Sequence, residues 1–340
     1  MADVSVGTVD RVLHNRGRVS EEKRKRVEDV LKKINYKPNV VARFLASKRT
    51  FSFAVIIPSY QSGEYWELVS TGVEKAVEEL WNFNVTVDYL YFDQFDDSSF
   101  VKVAEMLKEN KYAGAVISTV HKSKVIEVSD TLDMLNTPYV FIDSNIQGCN
   151  KLAYFGTDSY VSGAVGAKLM MSHITANDTI LIVQTVYKHH SSSVQIDSRE
   201  SGFRTHLEEH NFGGEIRSFT FNPNEKEVYA RQLGLMMKEM KGNVGAIVFN
   251  SRIYELVDLI GLMENSRNIT KLIGYDTIKK NKTALKEGRI SYLISQRSIQ
   301  QGYESIKALS THLIFSGTLA AENYMPIDIL IKENIDFYHD

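Results

Sequence analysis

The sequence has little cysteine and no long apolar run. Cys149 is the one cysteine among 340 residues, so an internal disulfide is excluded and a reducing compartment is indicated. No apolar stretch approaches the roughly 20 residues that a membrane-spanning helix needs. The N-terminus has no apolar signal core, so export is not expected. These absences predict a cytoplasmic protein with no membrane partner.

The sequence also lacks the short motifs of several enzyme classes. It contains no G-x-S-x-G turn, no Walker A loop and no G-x-G-x-x-G fingerprint. His206 and His210 lie four residues apart, but they do not form H-E-x-x-H and no third ligand accompanies them. A solvated helix face is therefore favoured over zinc. His189 and His190, followed by serines 191–193, indicate a polar loop. We expect no catalytic residue, no metal and no cofactor.

The net charge of −2 conceals two oppositely charged regions. Residues 1–50 contain 13 Lys and Arg against 6 Asp and Glu, a net charge of +7. The remaining chain contains 27 Lys and Arg against 36 Asp and Glu, a net charge of −9. A basic head on an acidic body is the distribution expected when only one end of the molecule contacts nucleic acid.

The first fifty residues have two apolar faces at helical spacing. The members of the two faces are Thr8, Val9, Val12 and Leu13, then Val27, Val30, Leu31 and Ile34. Ser20 is a helix-capping residue, and Glu21 and Glu22 add acids to the first turn. Pro38 ends the second helix, because proline disfavours helical geometry in the residue before it. Asn39 is positioned to cap a third, short helix that reaches Ala46.

This segment resembles the DNA-binding head of the lactose-repressor/galactose-repressor (LacI/GalR) family of bacterial transcription regulators. The matching runs are VSVGTVDRVL, VSEEKRKRV and INYKPNVVARFLASK. In that family a helix precedes the first of these runs, and residues 1–3 leave room only for the turn. Two smaller departures are Asp10, where the family usually has Ser, and His14, where it usually has Asn. The expected head is therefore a helix-turn-helix without its first helix.

The resemblance implies how this head contacts DNA. The helix from about residue 6 to residue 14 is expected to enter the major groove. Its predicted DNA contacts are Ser5, Val6, Gly7, Thr8 and Arg11. The segment 39–46 is expected to be a hinge helix in the minor groove, with Leu45 as an apolar wedge between bases. The predicted contacts in this segment are Asn39, Ala42 and Leu45.

After Arg49, short strand-like runs alternate with helix-like patterns, which predicts right-handed βαβ units and parallel sheets. The strand-like runs are 51–57, 85–92, 113–118, 138–143, 179–185, 216–221, 244–249, 272–275, 292–295 and 327–332. The helix-like stretches are 64–81, 99–110, 124–136, 198–211, 225–241, 252–264 and 298–315. The predicted fold is α/β, with two doubly wound parallel sheets in two lobes that meet near residues 156–159, behind an all-α head.

The predicted domain limits follow this pattern. The helix-turn-helix head is expected at 1–38, and the hinge helix and linker at 39–50. The two-lobed body is expected at 51–340. Its N-lobe is expected at about 51–158 plus 297–324, and its C-lobe at about 159–296 plus 325–340.

Polar residues follow several predicted strands, where ligands of doubly wound sheets bind. The candidates are Tyr60, Gln61, Tyr65, Trp66, Asp143, Arg199, Asn250, Asp276 and Gln296. Charged groups bond strongly to hydroxyls in a dehydrated site. Tyr65 or Trp66 can stack on an apolar sugar face, although Trp66 serves equally well as core packing. We therefore expect a sugar-like ligand.

The body resembles the effector domain of the same family, which is itself like periplasmic sugar-binding proteins. Arg199 matches the R-x-x-G-F motif, Asp276 matches V-G-[FY]-D, and Gln296 matches a Gln at a strand end. Asp158 and residues 159–163 resemble the run at the lobe crossing. Thr277 and Arg297 replace the family's commoner acid and proline, so the identity of the effector does not transfer.

Together these features predict a cytoplasmic, homodimeric transcription regulator, most simply a repressor, that binds operator DNA and responds to a small polar effector. Two alternatives stay open. One is a stand-alone sugar-binding protein with a vestigial head, and the other is an enzyme on the same two-lobed fold.

Overall fold

The computed structural model describes residues 1–13, 17–34, 49–96, 98–186, 193–263 and 269–340. The chain divides into two compact units, Met1–Arg49 and Thr50–Asp340. None of the described helices combines the length and apolar character that crossing a membrane requires. The predicted hinge contacts Asn39, Ala42 and Leu45 lie outside the described residues, as do His14, His189 and His190.

The first unit contains two described helices, α1 (Val6–Leu13) and α2 (Glu21–Lys33). Val12 and Val27 are buried between them. Ser20 precedes α2 with an extended backbone, as predicted for a capping residue, but its side chain makes no capping bond. The other apolar side chains are only partly covered. Val9, Leu13, Val30 and Leu31 line an open cavity of about 680 Å³ with the first residues of the chain.

The second unit contains two six-stranded sheets, and the first has the order β11-β5-β4-β3-β1-β2 with all strands parallel. Its strands are β1 (Phe51–Pro58), β2 (Val85–Phe92), β3 (Gly114–Ser118), β4 (Tyr139–Ile142), β5 (Ala153–Gly156) and β11 (Glu322–Tyr324). The inner strands are covered on both faces, which explains why runs such as FSFAVII have no polar alternation.

Helices cover both faces of this first sheet. They are α3 (Tyr65–Glu79), α4 (Ser99–Glu109), α5 (Lys122–Met134) and α11 (Ser298–Leu313). Helices α4 and α5 pack Phe100, Val103 and Val125 into one apolar core with the strands. Helices α3 and α11 approach each other closely, because a Cβ built on Gly72 would lie 1.8 Å from the carbonyl oxygen of Ile299.

The second sheet has the order β12-β10-β9-β8-β6-β7. Its strands are β6 (Thr179–Thr185), β7 (Glu215–Phe221), β8 (Val244–Val248), β9 (Ile269–Tyr275), β10 (Tyr292–Ser295) and β12 (Asp328–Leu330). Strand β12 pairs with β10 in the antiparallel sense, so the expectation of a wholly parallel sheet is wrong at this edge. The short connection from β11 to β12 carries the chain across from the other sheet and sets this reversed direction.

Helices also cover both faces of the second sheet. They are α6 (Ser159–Met171), α7 (Val194–Glu209), α8 (Lys226–Met237), α9 (Ile253–Gly261) and α10 (Lys279–Lys286). Helices α6 and α7 bury Met170 and Phe203 against one face, and α8 and α9 bury Leu233 and Leu256 against the other. This arrangement is the α/β class that the alternating pattern predicted.

The chain crosses between the two sheets three times in the second unit. The crossings lie between β5 and α6 at residues 156–159, between β10 and α11 at 295–298, and between β11 and β12 at 324–328. At the second crossing, Arg297 has a left-handed backbone (φ 54°). Its guanidinium bonds both carboxylate oxygens of Asp328, at 2.8 and 3.3 Å, which ties the second crossing to the third.

Candidate functional site

A cavity of about 190 Å³ lies where the carboxyl ends of the two sheets face each other. Its polar lining includes side chains that follow β1, β4, β8, β9 and β10, together with the start of α7. The lining residues used below are Glu64, Tyr65, Trp66, Phe95, His121, Asp143, Gln195, Phe249, Asn250, Arg252, Asp276 and Gln296. Both lobes therefore contribute to one site.

Four polar side chains form a continuous chain of hydrogen bonds on the cavity floor. The Nε2 of Gln195 donates to Oδ1 of Asp143 at 2.5 Å and to Oε1 of Gln296 at 2.9 Å. The Nε2 of Gln296 donates in turn to Oδ1 of Asp276 at 2.9 Å. Asp143 belongs to the first lobe and Asp276 to the second. The bonds through Gln195 therefore join the two lobes directly.

Arg199 supports this chain from behind the cavity. It is fully buried and does not line the cavity. Its guanidinium donates to Oε1 of Gln296 at 3.0 Å and to the backbone oxygen of Phe249 at 2.8 Å. It also lies 4.0 Å from the ring centroid of Tyr275. Arg199 lies within α7 rather than at a helix start, because α7 begins four residues earlier than predicted.

Both carboxylates occupy a strained backbone position that aims them into the cavity. Asp143 has a φ of 81° and Asp276 a φ of 67°, in the left-handed region that few residues adopt. Gln301 holds the first position, since its side-chain oxygen accepts from the backbone N–H of Asp143 at 3.0 Å. Asn281 holds the second, donating to the backbone oxygen of Asp276 at 3.2 Å. Such strain is frequent at binding sites.

Burial makes ionisation of the two carboxyl groups costly. Desolvation raises the pKa of Asp143 to about 6, although the positive charge of Arg199 and the bond from Gln195 oppose the rise. Desolvation likewise raises the pKa of Asp276 to about 7 against the charge of Arg199. Burial also raises the pKa of Tyr65. The two carboxyl groups are therefore shielded from water. A polar ligand would supply the hydrogen-bond donors that water gives to an exposed carboxylate.

Aromatic side chains form the apolar walls of the cavity. Tyr65 and Trp66 pack edge to face, with ring centroids 4.9 Å apart, and both are buried. Phe95 lies at the mouth with 38% of its surface exposed. The guanidinium of Arg252 lies 5.5 Å from the ring centroid of Phe95. Phe95 and Arg252 come from different lobes, so this pair also spans the mouth.

The structure places six of the nine sequence-predicted ligand residues on the cavity lining. These are Tyr65, Trp66, Asp143, Asn250, Asp276 and Gln296. Tyr60, Gln61 and Arg199 are not on the lining. The ring of Tyr60 packs against Tyr91 instead, with centroids 5.9 Å apart. The side chain of Gln61 is exposed, and its backbone N–H bonds the carboxylate of Glu64.

Sequence reasoning missed Gln195, Phe95 and His121. Gln195 lies four residues before Arg199 on the same helix, so it shares the helix face of Arg199. A correct start for α7 would have indicated it. Phe95 follows β2 and His121 follows β3. The same strand-end rule that selected Asp143 would have selected both.

The predicted DNA contacts of the head lie at the start of α1. Ser5, Val6, Gly7 and Arg11 are exposed, and Thr8 is half-buried. Val6 has 87% of its surface exposed, which no core role explains. The hydroxyl of Ser5 accepts from the backbone N–H of Thr8 at 3.2 Å, so Ser5 caps the helix in this state.

The described residues contain no cluster of three side chains placed to hold a metal ion. His206 and His210 stack on each other with ring centroids 4.0 Å apart, and Nδ1 of His210 pairs with the backbone oxygen of His206. This pair lies on an exposed helix face, away from the cavity lining.

Comparison with known proteins gives two family matches. Residues 53–317 match the periplasmic binding protein domain. Residues 1–39 match the bacterial regulatory proteins of the lacI family. The first match covers most of the two-lobed body, and the second covers the head.

Three relatives show how far these matches extend. The HTH-type transcriptional regulator RegA of Clostridium acetobutylicum is 34% identical over 143 residues, which are 42% of this chain and 41% of that protein. Catabolite control protein A of Staphylococcus xylosus is 48% identical over 73 residues, 22% of each chain. The solved structure of a candidate LacI transcriptional regulator from Bacteroides fragilis is 34% identical, with a TM-score of 0.80. That match covers 86% of this chain and all of the other.

Proposed function

This chain belongs to the lacI family of bacterial regulatory proteins and carries a periplasmic binding protein domain, and we propose that it is an effector-responsive repressor of transcription. The observation that carries the proposal is the pairing of a basic helical head with a dehydrated polar cavity between two lobes. The relatives named above are regulators rather than enzymes. RegA and catabolite control protein A are matched over less than half of their length, so activity and partners are proposed from the chain itself.

The proposed head comprises residues 1–38, and the proposed hinge and linker residues 39–50. Helix α1 would enter the major groove with its exposed face toward DNA. Arg11 suits a base edge or a phosphate, and Ser5 and Thr8 suit phosphate oxygens. Val6 would read thymine methyl groups or groove shape. The net charge of +7 over residues 1–50 supplies the attraction to phosphate.

The proposed effector is a hydroxyl-rich small molecule, most simply a sugar. Asp143 of the first lobe and Asp276 of the second are acceptors on the cavity floor, and hydroxyl groups are donors that match them. Tyr65 and Trp66 offer aromatic surface against which the apolar face of a sugar ring can pack. The cavity therefore offers both hydrogen-bond acceptors and aromatic surface to such a ligand.

The proposed signal is a change in lobe orientation. A ligand that bonds Asp143 on one lobe and Asp276 on the other favours the closed arrangement over the open one. We propose that a homodimer passes this shift to the hinge segments, and that the protein acts in the cytoplasm. Coupling then appears as reciprocal changes in effector and operator affinity.

A binding experiment separates this proposal from its alternative, a stand-alone sugar-binding protein with a vestigial head. A duplex selected from random DNA is titrated with the full chain at two stated salt concentrations, because phosphate contacts make affinity salt-dependent. Saturable binding to the selected duplex, weakened by Arg11→Ala, supports the regulator. Equal affinity for selected and random duplexes, unaffected by Arg11→Ala, supports the alternative.

A further inference from the structure

Helix α11 begins without a cap of its own. The residue before it, Arg297, has a left-handed backbone (φ 54°), and its side chain makes no capping bond. A guanidinium carries donors only, so it cannot accept from the amides of the first turn. Those amides have no partner inside the helix and need an acceptor from elsewhere. The first turn of α11 therefore depends on another part of the chain.

Asp340 provides that acceptor from 40 residues further along the chain. Its Oδ2 accepts from the backbone N–H of Ile299 at 3.1 Å, and its Oδ1 accepts from that of Gln300 at 3.2 Å. Ile299 and Gln300 are the second and third residues of α11, whose amides a capping side chain normally binds. A carboxylate also suits the positive end of the helix dipole. Asp340 thus replaces the cap that Arg297 cannot supply.

The strap, residues 331–340, carries Asp340 and is fastened to the second lobe. It follows β12, and Ile335 is buried in the apolar core that the second sheet forms with α8 and α9. Tyr338 packs against the same core, and its hydroxyl pairs with Oγ of Ser295 at 2.9 Å, at the end of β10. Helix α11 covers the first sheet. Asp340 is therefore anchored to one lobe and bonds the other.

The first turn of α11 also holds two residues of the ligand cavity. Gln301 donates to the backbone oxygen of Gln296 at 2.8 Å and accepts from the backbone N–H of Asp143 at 3.0 Å. Gln301 is fully buried, so water does not compete for these bonds. A shift of the start of α11 would move Asp143 and Gln296 with it. The cap formed by Asp340 therefore acts on the turn that positions the cavity floor.

We propose that the strap stabilises the closed arrangement of the lobes and that Asp340 is the positioning residue through which it acts. In the described arrangement the lobes meet through the bond between Gln195 and Asp143. Opening turns the second lobe, together with the strap, away from α11 and lengthens the two bonds of Asp340. The cap is thus formed in the closed arrangement and weakened in the open one, so it favours closure.

The strap also sets the affinity for the effector. This consequence rests on the proposed function, whereas the strap itself concerns the ligand-free protein. A ligand that bonds both lobes binds the closed arrangement, so its apparent affinity scales with the fraction of molecules that is closed. A variant without the cap should therefore bind effector more weakly, although Asp340 does not line the cavity.

The test measures lobe separation in the ligand-free full chain. Cys149 is replaced by Ser, and nitroxide labels are attached through Ser123→Cys and Lys279→Cys. Both positions are exposed and follow the carboxyl ends of strands, Ser123 in the first lobe and Lys279 in the second. Double electron–electron resonance gives the distribution of distances between the labels. Asp340→Ala should raise the ratio of open to closed molecules about fivefold, which corresponds to the roughly 1 kcal/mol of a helix cap.

Three matched variants show whether the cap itself is responsible. Glu333→Gln removes an exposed acid from the same strap and should leave the distribution unchanged. Tyr338→Phe removes the bond to Ser295 and keeps Asp340, so it should shift the distribution in the same direction by a smaller factor. Asp340→Asn keeps one acceptor oxygen and should fall between wild type and Asp340→Ala.

The outcomes separate the strap from the proposed function. A wild-type distribution that is wholly open, or one that Asp340→Ala and Tyr338→Phe both leave unchanged, would overturn the strap. A lower free energy of unfolding with an unchanged distribution would show that Asp340 only caps a helix, and would overturn it as well. These measurements need neither DNA nor effector, so each such result leaves the proposed regulator intact. Absence of operator binding would contradict the proposed function without affecting the strap.

Discussion

Replacing Asp276 by Asn should stabilise the ligand-free protein at high pH, although the residue belongs to the proposed binding site. The carboxyl group ionises at an ordinary pKa of 3.8 when unfolded and at about 7 when folded. Between these values the folded state holds the extra proton, so stability falls as pH rises through this window. The full difference of about 3 pKa units corresponds to about 4 kcal/mol. Asparagine keeps the acceptor for Gln296 and tolerates the left-handed backbone.

The assay is urea unfolding of wild type and Asp276→Asn at about pH 8 and about pH 4.5. The stabilisation of the variant should be larger at the higher pH by about 3 kcal/mol, because near pH 4.5 the wild-type carboxyl is already largely protonated in the folded state. Asp130→Asn serves as the control at an exposed site and should show no such difference between the two pH values. A pH-independent effect of Asp276→Asn would refute the claim that burial makes this charge costly.

Four further substitutions, one of them a control, test the packing, the buried cation and the hinge. Gly202→Ala should lower the free energy of unfolding by at least about 2 kcal/mol in the urea titration, because its Cβ would lie 1.9 Å from the backbone oxygen of Tyr160. Gly234→Ala is the control, because its Cβ would meet nothing within 4 Å. It should be neutral or stabilising by up to about 1 kcal/mol in the same assay. Arg199→Ala should lower the free energy of unfolding by about 3–5 kcal/mol and should also weaken effector binding, because it leaves buried carboxylates without their cation. A decrease in the free energy of unfolding below about 1 kcal/mol would contradict this. Leu45→Ala should weaken operator binding by a few kcal/mol in anisotropy titrations and leave effector affinity unchanged. Loss of effector binding would indicate instead that Leu45 is a core residue.

The alternation of strands and helices could be read from the sequence because the inner strands are uninterrupted apolar runs. Helix α6 escaped prediction because its sequence, SYVSGAVGAKLMM, packs small residues closely against α7 and so has no apolar stripe at helical spacing. Strand β5 (AYFG) escaped because its short run ends at a glycine, and β11 (ENY) because it contains no apolar run. Helix α10 has a short apolar face among lysines. Each miss reflects tertiary packing that local periodicity does not encode.

The ligand site was predictable where the carboxyl ends of strands determine it. Asp143, Asp276 and Gln296 follow strands directly, so the sheet itself carries them to the cavity. Tyr60 and Gln61 also follow a strand, but the turn that leads into α3 directs them elsewhere. Arg199 was predicted to contact the ligand, yet it lies behind the cavity lining. Its side chain is fully buried, so Arg199 also belongs to the packed interior.

The most direct test of the central claim is operator affinity measured with and without effector. A selected duplex is titrated by fluorescence anisotropy at fixed salt with wild type and with Asp276→Ala, in the presence and absence of a sugar identified by a thermal-shift screen. We predict that the sugar changes the affinity of wild type by about 5- to 150-fold, the usual range of allosteric coupling. Asp276→Ala should bind the duplex as wild type does without sugar and show no response to it. An operator affinity that is the same with and without bound sugar in wild type would contradict the account.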